Sequence, residues 1–512
     1  MAIKPSRVVP RRFSAEIIVI SLLLLFILVI VLRAWMSDDA YITLRTVDNF
    51  INGYGLTWNI SERVQPYTHP LWMFLLSFLY FFTREAYYTT IILSIVISFA
   101  AVVLYTYKIV RIRSIAILGI LILILSRAFT DYSTSGLENP LSYLCLIIFF
   151  IIYFEPENRI NKVFSLSLVA SLGALNRMDT LLIYLPSLLV IFWRNRSWKT
   201  FWLMSAGQIP LLLWFGFSLF YYGFPFPNSA YAKLNTGIPI SDLIHQGSLY
   251  FMNSIRADPI TLIVIMMGVI IPLVLREKRL LPLSAGILLY LLYVLRIGGD
   301  FMSGRFFALP LLASLISLAM LFKKPPNRVF IISTLILILI LGILSPSPTY
   351  RIFEKGAMIT DSGIADERGF YHSFTGVFAA RNNTSISNHE WAEEGRLNSE
   401  RIKPVVRGAT GLYGYYAGPK VYIIDRNGLA DPLLARLHVN LNNPWRIGHF
   451  KRPIPPGYFE TINTGNNVIE NSDIKKLYDV IQLITRGEVF DPQRLLAIWR
   501  INTGNLFDQD SY

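Results

Sequence analysis

Apolar stretches separated by short Lys/Arg clusters recur through the first 345 residues, and no other feature constrains the chain so strongly. There are eleven: Glu16–Trp35, Thr89–Val110, Ser114–Arg127, Leu141–Phe154, Val163–Asn176, Thr180–Phe192, Phe201–Tyr221, Pro259–Leu275, Leu280–Leu295, Arg305–Phe322 and Val329–Leu344. A bilayer core takes about 20 apolar residues of helix, and somewhat shorter spans are tolerated. The pattern therefore predicts a polytopic α-helical membrane protein. Composition agrees, with 54% hydrophobic and 16% charged residues, where a soluble domain carries about 25% charged residues. A net charge of +14 could signal nucleic-acid binding. Here the cations sit in clusters between apolar runs, which points to membrane lipid headgroups and away from nucleic acid.

The charges also predict an orientation. Lys4, Arg7, Arg11 and Arg12 precede the first span, and the later clusters are Lys108/Arg111/Arg113, Arg159/Lys162, Arg194/Arg196/Lys199, Arg276/Lys278/Arg279 and Lys323/Lys324/Arg328. Placed on the cytoplasmic side, they alternate with the spans only if one crossing separates Asp38 from Lys108. Pro70–Thr83 is then a juxtamembrane helix along the outer interface. The N-terminus is expected to be cytoplasmic and the C-terminal part extracytoplasmic. The first span has no small-residue cleavage site after it and reads as uncleaved.

Near residue 345 the composition changes. SPSPTY is a Pro/Ser turn, and mixed-charge sequence follows, with alternating stretches such as Lys420–Asp425 that read as strand. The expected architecture is a transmembrane catalytic domain over residues 1–345 and a soluble, mixed α/β extracytoplasmic domain over 346–512. Cys145 is the one cysteine, so no intrachain disulfide exists and the residue reads as structural.

Polar residues gather in the loops on the expected outer side. Asp38 and Asp39 follow the first span, where two adjacent acids cost free energy if desolvated. After them come an amphipathic stretch (AYITLRTVDNFINGYGLTWN) and ERVQPYTHPLW, which carries Tyr67, Thr68 and His69. TDYSTSGLEN supplies Asp131 and Glu138. LNRMDT sets Arg177 two residues from Asp179 in apolar surroundings, which predicts a pair or a cavity-facing position. YYGFPFPNSAYAKL offers Tyr231 and Lys233, and RIGGDFMSGRF offers Arg296, Asp300 and Arg305 around a Gly pair. His245, His372, His389 and His438 have no partner spacing and read as surface or structural.

Together these predict one outward cavity. Its carboxylates suit base or divalent-metal chemistry, its Arg and Lys suit a phosphate, and its aromatics suit sugar or lipid faces. An enzyme using a lipid-linked phosphate donor fits the set: a carboxylate deprotonates an acceptor hydroxyl and cations stabilise the departing phosphate. GxGxxG and GxxxxGK[ST] are both absent. The alternative is a transporter or flippase of lipid-linked glycan, which would show paired repeat halves with broken helices at mid-bilayer; the sequence shows no such halves.

At these residues the sequence resembles the GT-C glycosyltransferase superfamily. The closer resemblance is to the terminal β-(1→2)-arabinofuranosyltransferase family of mycobacteria and related bacteria. It rests on DDAYITLRTVDNFINGYGLTWN, ERVQPYTHPLW, SGLEN, LNRMD, GGDFMSGRF, YIIDRNGLADPLLARL and PWRIGHFKRPIPPGY, in order, from about residue 38 to about 458. The resemblance implies a polyprenyl-phosphate sugar donor, a cell-envelope glycan or glycoprotein acceptor and a place in the bacterial cytoplasmic membrane. It implies Asp38 and Asp39 as catalytic acids, either of which can be the base. It also implies roles for Asp425, Asp431, Arg446 and His449 toward the acceptor. A β-linked donor giving a β-linked product would mean net retention, which could make one aspartate a nucleophile.

Overall fold

The computed structural model describes residues 11–156, 161–234, 236–345, 349–351, 359–378, 388–440 and 444–504. Lys4, Arg7, Arg159 and the turn at 346–348 lie outside them. The described chain is mainly helical, and each of the eleven apolar stretches folds as helix. Ala15–Leu32 and Tyr87–Ile109 are long and apolar enough to cross a membrane alone. Counting each of two bent pairs as one span raises the number to at most four among the described residues: Trp198–Gly207 with Ile209–Tyr221, at 51°, and Ile240–Ala257 with Pro259–Val274, at 113°. The other apolar helices, such as Asn139–Phe154 (16 residues) and Arg113–Leu125 (13 residues), rise about 1.5 Å per residue. They fall short of a hydrocarbon core of about 30 Å, so helix length alone does not give eleven crossings.

Side-chain exposure identifies the surrounding medium. Ile18, Leu24, Leu28, Ile92, Val96, Leu212, Leu213, Ile332 and Ile336 all point outward. Apolar surface of that extent belongs against lipid. Inside, small residues bring helices together: a methyl group added at Gly268 would meet Ser314 Cβ at 2.3 Å, and one at Gly286 would meet the Ile183 carbonyl oxygen at 2.3 Å. Close backbone approach through small residues is how helices associate in lipid. At both helix breaks a polar side chain bonds to protein. Gln208 donates to the Ser167 carbonyl, and Asp258 accepts from the Ala128 amide and the Thr261 hydroxyl.

Pro70–Thr83 begins with its proline at the first helical position, where a missing N–H costs nothing, and ends at Arg84 in the left-handed region. It buries Trp72, Met73 and Leu76 and exposes Phe78, Phe81 and Phe82. Beyond residue 345 the described elements are short helices and a pair of parallel strands, Val405–Arg407 with Ile423–Asp425. The expected strand at Lys420–Asp425 thus forms over its last half.

This C-terminal part interlocks with the loops of the first part. Arg45 donates to the carbonyls of Gly414 and Val421, Arg494 to those of Phe220 and Tyr221, and Trp35 stacks on Tyr371. Asp131, an acid expected in an outer loop, is buried between Arg33, Arg127 and Arg368. It joins the end of the first span to the C-terminal part.

Candidate active site

Ser37 caps the helix Asp38–Ile51, its hydroxyl accepting from the Ala40 amide. Two acids then open the first turn, where the helix dipole favours negative charge. Their surroundings differ. Asp38 is buried, and its carboxylate accepts from the amides of Leu412 (2.7 Å) and Gly411 (3.1 Å). Both amides open the helix Gly411–Ala417, so Asp38 fastens the C-terminal part to the first loop. Burial pushes its carboxyl up to about 7 against the pull of those amides. Asp39 is only partly buried, and its carboxylate makes no hydrogen bond or ion pair among the described residues. Its charge reaches His69, Asp300, Arg305, Glu367 and His449. Asp39 is therefore the acid that the remaining polar residues surround.

Glu138, just ahead of the helix Asn139–Phe154, is the hub of one wall. Its oxygens lie 3.0 Å from Arg305 Nη2, 3.2 Å from Arg177 Nη1 and 3.3 Å from His69 Nδ1. Burial alone would raise this carboxyl, but Arg305, His69 and Arg177 outweigh it and hold the group at about 2. Glu138 is thus a fixed negative charge that positions two cations. Arg177 is gripped again by Asp179, with its Nε and Nη2 at 2.9 Å from the carboxylate, and lies over the Phe306 ring. His69 Nε2 contacts Thr43 Oγ1 at 2.8 Å, and burial lowers the ring's pKa.

The other wall is built on Phe301. Gly298 and Gly299, at φ 86° and 73°, take a backbone turn that glycine permits, and Asp300 and Phe301 follow. Asp300 Oδ1 accepts from the Phe301 amide at 2.8 Å, while Oδ2 lies 3.6 Å from Arg305 Nη1. Around the Phe301 ring gather His449 (4.3 Å between centroids), Arg446 (5.4 Å) and Lys233 (6.0 Å). Burial, helped by Arg446, lowers His449 to about 4. Asp300 Oδ2, Arg305 Nε, Arg446 Nη2 and His449 Nδ1 are all buried without a hydrogen-bond partner. Each such atom costs about 1–3 kcal/mol, a cost that a ligand pairing with them would relieve.

The structure thus brings together Asp39, His69, Glu138, Arg177, Asp179, Lys233, Asp300, Arg305, Arg446 and His449. It sets the other expected residues apart. Asp425 accepts from the amides of Asn427 and Ala430 in its own turn. Asp431 accepts from Leu433, Leu434 and the Tyr458 hydroxyl. The Tyr67 hydroxyl meets that of Tyr222, leaving its ring beside His69.

One residue escaped the sequence reading. Glu367 opens the helix Glu367–Thr375 and is carried to the Phe301 wall by backbone pairing of Ala365 with Phe301 and Ser303. Its Oε1 lies 3.9 Å from Arg446 Nη2. Burial and the nearby Asp39 push its carboxyl well above the ordinary range.

Among the described residues no three His, Cys, Asp or Glu side chains converge as metal ligands. Glu138 and Asp179 are taken up by arginines, and Asp38 by backbone amides. Those three acids are therefore not free to hold a divalent metal. Beside Pro70 an apolar groove of about 330 Å³ opens between Leu71, Phe74, Leu175, Leu213, Trp214 and Phe217.

No protein-family model matches the chain. Its sequence relatives among characterised proteins are glycosyltransferases. It is 26% identical to a terminal β-(1→2)-arabinofuranosyltransferase of Mycobacterium tuberculosis, over 83% of this chain and 82% of that one. It is 25% identical to the Corynebacterium glutamicum protein of the same name, over 80% of this chain and 67% of that one. Among solved structures it is similar to the Archaeoglobus fulgidus oligosaccharyltransferase in complex with zinc and sulfate, at TM-score 0.42 and 10% identity, over 79% of this chain and 62% of that one. It is also similar to ArnT from Cupriavidus metallidurans bound to undecaprenyl phosphate, at TM-score 0.45 and 12% identity, over 80% and 85%. The resemblance to the arabinofuranosyltransferase family therefore extends over most of the sequence.

Proposed function

We propose that this chain is a membrane glycosyltransferase of the bacterial cytoplasmic membrane. In this reading it moves a sugar, arabinofuranose by analogy with its relatives, from a polyprenyl-phosphate donor to a cell-envelope glycan or glycoprotein acceptor on the outer side. The observation that carries the reading is Asp39, an unpaired carboxylate whose charge reaches Arg305, Asp300, Glu367 and two histidines, beside buried polar atoms that lack hydrogen-bond partners.

The acceptor hydroxyl attacks the anomeric carbon and its proton passes to Asp39. The bond from that carbon to the phosphate oxygen breaks, and its electron pair leaves with the lipid phosphate. Lys233, which has no ion pair among the described residues, and Arg305 stabilise the charge that develops there. Glu367, whose carboxyl is pushed up by burial and by Asp39, donates a hydrogen bond into the site in its protonated form. The apolar groove beside Pro70 suits the donor's polyprenyl tail. If donor and product are both β-linked, Asp39 serves as nucleophile in two displacements instead, and product stereochemistry distinguishes the two routes.

The topology is part of the proposal: eleven crossings, a cytoplasmic N-terminus, a catalytic domain over 1–345 and an extracytoplasmic domain over 346–512. Reporter fusions in each loop test it. Protein reconstituted in liposomes with synthetic polyprenyl-phosphate sugars tests the chemistry. Transferred sugar that disappears in Asp39→Asn supports it; lipid-linked sugar crossing the bilayer without product makes the chain a transporter.

A further inference from the structure

A cavity of about 540 Å³ opens against the Phe301 wall on the side of the C-terminal part. That is within the roughly 300–1,000 Å³ of sites that hold small ligands. Arg426, Trp445, Arg446, His449 and Lys451 line it, and among the described residues no carboxylate does. The surrounding sequence has the same bias, because residues 432–459 contain no Asp or Glu. Arg426 and Lys451 are exposed and have no ion pair among the described residues. The orientation rule for membrane proteins does not account for these cations, since they lie far along the chain from the last apolar helix, Arg328–Ile343. Nor does fold stability account for all of them. Arg452 is spent on the carbonyls of Leu437, Phe450 and Ala232, but Arg426 and Lys451 hold nothing.

The cavity and the Asp39 cluster share Arg446 and His449. Arg446 Nε donates to the Gly363 carbonyl, which fixes the guanidinium, while its Nη2 and His449 Nδ1 are left without hydrogen-bond partners. A concave wall of cations focuses field on an anion, a fixed guanidinium fork matches phosphate or carboxylate, and Trp445 offers a flat face to a sugar ring. Its lining sets Arg426, Arg446, Lys451 and Arg452 among Val439, Pro444, Trp445 and Pro453, whereas the groove beside Pro70 has no charged residue among those described, so this cavity suits an anionic ligand better than a lipid tail.

We propose that this cavity is the acceptor subsite and that the acceptor is an anionic glycan, one bearing phosphate or carboxylate groups next to the hydroxyl that is glycosylated. The proposal rests on the transferase reading for the word acceptor, but the anion site can be measured without it.

Full-length protein in nanodiscs is titrated with an oligogalacturonate, a glycerol-phosphate oligomer, a neutral arabino-oligosaccharide of equal length and farnesyl phosphate. The readout is Trp fluorescence together with a direct binding measurement. The wild type is expected to bind at least one of the two anionic oligomers about tenfold or more tightly than the neutral one, with affinity falling as salt rises. The double variant Arg426→Ala/Lys451→Ala should lose about tenfold or more of that affinity. The stronger of the oligogalacturonate and the glycerol-phosphate oligomer names the anionic group. Equal binding of the neutral oligomer, an unaffected double variant, or competition by farnesyl phosphate alone each overturns the proposal, the last by making the cavity a donor-phosphate site. Anion binding without any donor cleavage would remove the transferase reading and leave the anionic site standing. Donor cleavage with equal use of neutral acceptors would do the reverse.

Discussion

The carboxylate of Asp38 rests on the backbone amide of Gly411, 3.1 Å away in space and 373 residues away in sequence. A methyl group added at Gly411 would meet the Asp38 carbonyl oxygen at 1.8 Å. Backbone stands on both sides of that contact, so the helix Gly411–Ala417 must move. Gly411→Ala is therefore expected to insert normally, to lose about tenfold or more of its transfer rate through misplacement of the site walls, and to gain protease sensitivity beyond residue 400. Limited proteolysis beside a transfer assay checks both effects; wild-type values in each would show that the two parts tolerate separation.

The neighbouring acids predict a contrast. Asp39→Asn breaks no hydrogen bond, so its unfolding temperature should stay near wild type while transfer falls by about 10²–10⁴. Asp38→Asn turns an NH₂ toward one of two amides and should cost about 1–3 kcal/mol of stability, with a smaller loss of rate. Thermal unfolding and kinetics of both variants decide. A stable, inactive Asp38→Asn would exchange the two roles.

Glu138 is buried among Arg305, Arg177 and His69. Glu138→Gln leaves two buried guanidinium groups without their shared counter-charge, and breaking a buried pair from one side costs about 3–5 kcal/mol. Denaturant or thermal unfolding in detergent measures this. An undiminished stability would mean that Asp179 and Asp300 suffice to hold both arginines.

Burial and Asp39 raise the Glu367 carboxyl, and an amide should replace it well where it works as a hydrogen-bond donor. Glu367→Gln is expected to keep most of the transfer rate, whereas Glu367→Ala loses about tenfold or more as its hydrogen bond disappears. A Gln variant as impaired as the Ala variant would assign Glu367 a charged role instead.

Three buried carboxyls set the dependence of stability on pH. Burial raises Asp425 to about 6, Asp38 to about 7 and Asp431 to about 8, each from 3.8. For these three groups the folded chain binds more protons than the unfolded one, so their contribution falls as pH rises, while the lowered His372 and His449 act in the opposite sense up to their ordinary value of 6.5. The stabilisation is fully present below about pH 4 and is lost as pH climbs through the 6–8 region. The unfolding temperature should drop between about pH 6.5 and about pH 8, above the range in which the histidines oppose the trend, and Asp431→Asn should flatten the upper part of that drop.

Several of these features were legible in the sequence. Arg177 and Asp179 stand in apolar sequence, where the cost of burying charge makes a pair predictable, and they do pair. Glu138, Asp300 and Arg305 were readable on another ground, their place in loops expected on the outer side. The difference between Asp38 and Asp39 was not, because it depends on which way each carboxylate leaves the first helical turn and on a partner at residue 411. Glu367 went unseen because it lies in polar sequence, where an acid carries no desolvation signal. Asp425 and Asp431 show the converse. Their motifs resemble those of the transferase family, yet in this fold their oxygens are used on nearby backbone amides.

The walls around Asp39 come from residues 69, 138, 300–305, 367 and 446–449, so the pocket closes only when nearly the whole chain has been made. A growing polypeptide that has already threaded its first helices has the acid but not its surroundings. Activity is thereby tied to completion of synthesis, and a truncated copy left in the membrane would be inert toward the lipid-linked sugars around it.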